Sequence, residues 1–194
     1  MNERNPSTQP PATHHTTVGD DTPGWEATEG LSAADFKLAF RNHPAGVAVI
    51  TADAGAGPVG LTATSVFSAS ADPAILVFSI SGQSSSAPTI EKAETVVIHL
   101  LGADQLQVAK LFATSGVDRF ADQSSWHRLV TGEPVIHGVP VWIRGQIIDR
   151  MDAGGSTIVA VHALQAHILD EDVAPLVYHN RSWHHIGEHS KLDD

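Results

Sequence analysis

Seven runs rich in β-branched and small residues, each closed by a turn cluster, constrain this chain most. They fall at 46–52, 60–70, 74–81, 95–101, 139–151, 157–169 and 176–179. The punctuation between them is Asp53-Ala54-Gly55-Ala56-Gly57-Pro58, Asp72-Pro73 and Ala153-Gly154-Gly155. Such runs read as strands, and helices do not alternate with them as parallel βαβ units require. The expected fold is mainly β with peripheral helices, an antiparallel barrel.

Three helical stretches are expected around it. Ser32 can cap the first, with Asp35 three residues on and Leu31 and Phe36 spaced as a hydrophobic staple. Phe36, Ala39 and Phe40 then share one side until Pro44 ends the stretch. The others are 89–94 and 104–114, the latter able to bury Leu106, Ala109 and Phe112. Residues 1–30 are rich in Pro, Thr and acids and read as a disordered tail. Residues 31–187 read as one domain and 188–194 as a short C-terminal tail.

Charge narrows the choice of partners. There are 22 acidic against 11 basic residues, a net charge of −11, which repels nucleic-acid backbones. No apolar run is long enough to span a membrane. Cysteine is absent, which excludes thiolate chemistry and fits a cytoplasmic setting.

Two segments have the composition of a binding site. In the 60–70 run, strand alternation places Thr62, Thr64, Val66, Ser68 and Ser70 on one face. That face is either a hydroxyl surface in water or a wall of donors and acceptors for a polar planar ligand. The bare backbone at Gly60 would leave room for a ring. The loop Ser81-Gly82-Gln83-Ser84-Ser85-Ser86-Ala87-Pro88-Thr89 precedes a helix start, where free N–H groups and hydroxyls favour an anion.

Other patterns carry less. Gly55-Ala56-Gly57-Pro58-Val59-Gly60 has dinucleotide-fingerprint spacing, but a strand follows it where that motif needs a helix, so it reads as a hairpin. Among the 12 histidines, His162 and His167 fall on opposite strand faces, and His184 and His185 are adjacent and diverge. His185 and His189 are interrupted by Gly187, and His14 and His15 lie in the tail. No metal site is expected from these spacings.

The ordered segments resemble the short-chain flavin reductase family. They are His43-Pro44-Ala45-Gly46-Val47-Ala48-Val49-Ile50-Thr51, Gly57-Pro58-Val59-Gly60-Leu61-Thr62-Ala63-Thr64-Ser65 and Ser68-Ala69-Ser70-Ala71-Asp72-Pro73. Ser84-Ser85-Ser86, Asp118-Arg119-Phe120-Ala121-Asp122 and Leu176-Val177-Tyr178-His179 continue the set. Val97-Ile98-His99-Leu100-Leu101-Gly102 and Thr131-Gly132-Glu133-Pro134-Val135 are most similar to the branch serving dibenzothiophene-desulfurising monooxygenases.

The resemblance implies a split barrel that binds FMN or FAD and uses NADH or NADPH as co-substrate. It further implies a homodimer that passes reduced flavin transiently to a monooxygenase. Thr62, Ala63, Thr64 and Ser65 would line the isoalloxazine, Ser84, Ser85 and Ser86 would hold the phosphate, and Phe120 would close over the flavin. Two departures stand out. The Ser81–Thr89 loop holds no cation, so an arginine from elsewhere, such as Arg119, would have to compensate. Gly154-Gly155-Ser156 replaces the family's Gly-Asp-His and puts Ser156 at the nicotinamide-site position. The rival readings are a flavin-binding split-barrel protein without efficient reductase activity, and a metal-binding barrel.

Overall fold

A computed structural model describes residues 30–169 and 172–192. Most of the expected N-terminal tail therefore lies outside the described residues. The strands are β1 (Ala45–Gly46), β2 (Ala48–Asp53), β3 (Pro58–Ala63), β4 (Phe67–Ala71), β5 (Ala74–Ser81) and β6 (Thr95–Leu100). They continue as β7 (Trp126–Arg128), β8 (Pro134–Ile136), β9 (Val141–Asp152), β10 (Ser156–Ile168), β11 (Leu176–His179) and β12 (Ser182–His185). The helices are α1 (Ala33–Phe40), α2 (Ala87–Lys92) and α3 (Leu106–Ala113). No helix among the described residues is long and apolar enough to cross a membrane.

Seven strands form one antiparallel sheet in the order β3-β2-β6-β9-β10-β5-β4. β11 joins β1 and β12 in a second sheet, and β7 pairs with β8. The sheet is antiparallel and β-dominated as expected, but it is not closed by strand pairing. Its edge strands β3 and β4 are consecutive in the chain, with only Thr64, Ser65 and Val66 between them.

This corrects the reading of 60–70 as one strand. Pairing of β3 with β2 ends at Ala63↔Ala48, and the chain then crosses to β5, where Phe67 pairs with Val77. Across the gap, the Ser65 hydroxyl donates to the Ser79 carbonyl at 3.1 Å and accepts its N–H at 3.0 Å. A side chain thus supplies the hydrogen bonds of the missing strand pair. Because the chain bends here, the simple two-face alternation fails beyond Ala63.

Two apolar clusters hold the sheet. One gathers Ile50, Phe78, Ile80, Ile90, Ile98 and Val161 inside it. The other packs Val49, Val97, Phe112, Phe120 and Trp142 on its outer side. Ala109 and Phe112 are buried at the expected helical spacing, with Leu106 packed beside them. Gly60 serves that packing: a Cβ there would stand 2.5 Å from the Phe112 ring and 3.1 Å from the Ile50 carbonyl. The expectation that Gly60 leaves space for a ligand is corrected accordingly. The glycine run after β2 is the expected hairpin, with the Asp53 carboxylate accepting N–H bonds from Gly55 at 2.7 Å and Gly57 at 3.1 Å.

His99 on β6 is fully buried. Its Nδ1 lies 3.0 Å from the Val49 carbonyl, and the Ile136 N–H donates to Nε2 at 3.1 Å. This arrangement fixes a neutral ring protonated at Nδ1. Burial, opposed by the bond to Val49 and reinforced by His127, lowers its pKa to about 4. Below the unfolded value of about 6.5 the unfolded chain takes up a proton that the folded chain refuses. Stability is therefore expected to fall by roughly 3 kcal/mol as pH drops from about 6.5 to about 4. Urea unfolding at successive pH values checks this; a flat profile across that window would contradict it.

Candidate functional site

An open cavity of about 520 Å³ lies where β3 leaves the sheet. Its wall is the run Leu61 to Ser65, and its far end is formed by Ser81, Gln83, Ser84 and Ser85. Phe112 at the end of α3 and Arg119 beyond it complete the enclosure. The two segments singled out from the sequence, 62–65 and 84–85, therefore meet in one space.

Their chemistry is unequal. The Thr62 hydroxyl donates to the Ala109 carbonyl at 2.7 Å and is already engaged with α3. Ser65 is engaged with Ser79. Thr64 is exposed, and the N–H groups of Thr64 and Ser65 fall beyond the last β2–β3 pair. The wall thus offers a ligand one hydroxyl and two backbone donors outside the ladder.

At the loop, α2 is only six residues long, and most of the amides before it are paired locally. Gly82 N–H bonds Gly155, Ser84 N–H bonds Ser81, and Ala87 N–H bonds Ser84. Gln83 and Ser86 donate to the hydroxyls of Ser81 and Ser84. The turns satisfy these amides, while the Ser85 N–H has no partner among the described residues and joins the hydroxyls of Ser84 and Ser85 as the loop's donors.

Ser86 does not reach the cavity. It is buried, and its hydroxyl donates to the Gly60 carbonyl at 2.9 Å, tying the loop to β3. Phe120 is likewise a core ring, edge-on to Phe112 at 5.3 Å and to Trp126 at 5.1 Å. It touches only a smaller neighbouring cleft, of about 170 Å³. In this structure its ring packs in the core, beside that cleft.

The cation missing from the loop comes from Arg119. Its guanidinium donates to the Thr114 carbonyl at 2.8 Å and to the Ser85 hydroxyl at 3.3 Å. Its Nε is buried and has no hydrogen-bond partner among the described residues. The Arg119 side chain also lines the cavity, where its positive charge favours an anion. Gln83, Ser79, Ser115 and Gly116 also line the cavity and were not foreseen. Gly116, with φ +75°, makes the turn after α3 that a Ser-Gly pair signals, but nothing local ties that turn to β3.

Ser156 opens β10 opposite Ser81, and the Gly155 carbonyl accepts the Gly82 N–H at 2.9 Å. The Gly154-Gly155-Ser156 turn therefore rests against the serine loop. Ser156 itself lines a separate shallow cleft with Gly82, Asp152 and Gly154. On β12, His184 and His185 diverge as expected, their rings lying near His179 and His189 at 5.6 and 5.0 Å.

Comparison with known proteins gives the family of the chain. Residues 40–187 match the family described as flavin reductase like domain. The chain is 44% identical over 162 residues to an NADH:FMN oxidoreductase of Rhodococcus erythropolis, covering 82% of this chain and 84% of that one. It is 36% identical over 126 residues to the reductase component of a flavin-dependent trigonelline monooxygenase of Acinetobacter baylyi, covering 64% and 40%. A crystal structure of a flavin reductase domain protein from Arthrobacter sp. FB24 superposes with a TM-score of 0.77 at 34% identity, covering 83% of this chain and 98% of that one.

Proposed function

The chain belongs to the flavin reductase-like domain family, and from that premise we propose that it is an NADH-dependent flavin reductase whose cavity takes FMN. The observation that carries this reading is the meeting of Ser84, Ser85 and the Arg119 cation at one end of a cavity walled by residues 61–65. A flavin bound there would supply the hydride-accepting chemistry.

The protein's part is binding and alignment. Arg119 balances the phosphate charge, and the two serine hydroxyls fix its position. Thr64 and the N–H groups of Thr64 and Ser65 would meet the polar edge of the ring, while Ala63 and Phe112 would give it apolar contact. FAD shares the ring and the first phosphate and would use the same groups. The cavity's openness suits a flavin that leaves after reduction, in line with transient transfer to a partner monooxygenase. A homodimer is supported by an apolar cleft of about 290 Å³ lined by Phe67, Leu76, Leu100 and Ile143. The test is steady-state NADH oxidation by the full chain: turnover that depends on added FMN supports the reading, and none at saturating FMN overturns it.

We place the nicotinamide near the Gly154-Gly155-Ser156 turn, supported by its contact with the serine loop. Ser156 offers one hydroxyl and no positive charge. Ser156→His is expected to raise NADH-dependent flavin reduction about tenfold, the worth of one hydrogen bond made in the transition state. Steady-state rates at saturating FMN decide. An unchanged or lower rate in the folded variant removes this turn from the nicotinamide site.

A further inference from the structure

A serine at the start of a helix ordinarily turns its hydroxyl onto the first amides of that helix. Ser86 stands at this place before α2, and its carbonyl accepts the first helical bond, from the Ile90 N–H at 3.1 Å. Its hydroxyl makes no capping bond. It leaves the helix instead and donates to the Gly60 carbonyl at 2.9 Å, 26 residues away in the chain. Ser86 is 1% exposed, so the bond is made inside the protein. β3 is an edge strand with only β2 beside it, and this hydroxyl ties it to the loop where no further strand does.

Each end of that bond lies one residue from the cavity. Gly60 precedes Leu61, where the wall begins, and Ser86 follows Ser85, the nearer of the loop's two hydroxyls. Those hydroxyls are arranged to donate. The Ser84 oxygen accepts the Ser86 N–H at 3.3 Å, and the Ser85 oxygen accepts an Arg119 N–H at 3.3 Å. Neither has an acceptor for its own proton among the described residues, so both protons are available to an anion. The remaining ties of this segment run elsewhere. The Gly82 N–H bonds Gly155, and at the far end of α2 Arg150 donates to the Ile90 and Ala93 carbonyls at 3.3 and 2.6 Å. Both reach the β9–β10 hairpin. Among the described residues, the Ser86 hydroxyl makes the one hydrogen bond between this loop and β3.

We propose that Ser86 is a positioning residue for the flavin phosphate, its tether to Gly60 holding the Ser84 and Ser85 hydroxyls at a fixed distance from the ring wall. The proposal rests on the reading of the cavity as an FMN site. Ring and phosphate are joined in FMN by a flexible chain, so a site meets both at once most tightly when its two halves are already in register. Ser86 touches neither end of the ligand. It acts through Ser84 and Ser85, and a site with the tether cut should lose the phosphate contact while keeping the ring contact.

The test compares FMN with riboflavin, which has the ring and no phosphate, by quenching of flavin fluorescence on the full chain. Ser86→Ala is expected to weaken FMN about tenfold, the equivalent of one lost phosphate hydrogen bond, and riboflavin by less than about twofold. The adjoining cleft of about 170 Å³ touches both Gly60 and Ser86, so water can take over the freed carbonyl and the variant should stay folded. Arg150→Ala is the comparison. It frees the far end of α2 and should lower stability in urea, yet leave the preference for FMN over riboflavin unchanged. Unchanged FMN affinity in Ser86→Ala, or equal losses for FMN and riboflavin, overturns the proposal. So does an Arg150→Ala variant that loses the preference to the same extent, or a Ser86→Ala variant that does not fold, since the hydroxyl would then hold the fold rather than the site. Failure of the FMN reading is separately visible in the unsubstituted protein, as riboflavin bound no less tightly than FMN, and takes the proposal with it.

Discussion

Arg119→Ala is expected to weaken FMN binding by about a hundredfold, the worth of two charge-assisted hydrogen bonds to a phosphate. Riboflavin, which lacks the phosphate, should bind both proteins equally. The contrast follows from the position of Arg119, which lines the cavity and is braced by the Thr114 carbonyl and Ser85. Arg119→Lys keeps the charge but loses the planar fork, and should recover only part of the affinity. Quenching of flavin fluorescence measures all of these. An equal loss for FMN and riboflavin would mean that Arg119 shapes the cavity without touching the phosphate.

The largest effect on stability is expected from Glu133→Ala, a loss of about 3–5 kcal/mol in urea unfolding. Glu133 is buried and accepts from Arg144 Nε at 2.7 Å, from the Thr95 hydroxyl at 2.6 Å and from the Thr131 hydroxyl. These bonds fasten the loop between β7 and β8 to β6 and β9. Alanine would leave the Arg144 charge without its partner. Burial pushes the Glu133 carboxyl up, but its hydrogen bonds outweigh burial and hold it below the usual carboxylate value. Its contribution is therefore present above the unfolded pKa and is lost as pH falls through the folded one. Acid should thus act first through His99 and only later through Glu133. A Glu133→Ala loss within about 1 kcal/mol would show the pair to be a weak surface contact.

Local chemistry made much of the fold readable. β5 and β11 occupy the expected positions, because alternating apolar runs bounded by turn residues have few other outcomes. β7 and β8, three residues each, are too short to show a period, and β12 forms because the Asn180-Arg181 turn brings it against β11. Family resemblance pointed to residues 62–65 and 84–85, and the fold brings them together. Ser86 and Phe120 are placed differently from 62–65 and 84–85: both sit beside the cavity in sequence but turn into the protein, Ser86 to Gly60 and Phe120 to Phe112. Arg119 meets Ser85 across 34 residues of chain, a contact that no local pattern encodes.

The most direct test of the account is a crystal structure of the protein soaked with FMN. The account predicts the phosphate on Arg119, Ser84 and Ser85, with the ring against residues 62–65. A flavin whose phosphate lies elsewhere, away from Arg119, would contradict it.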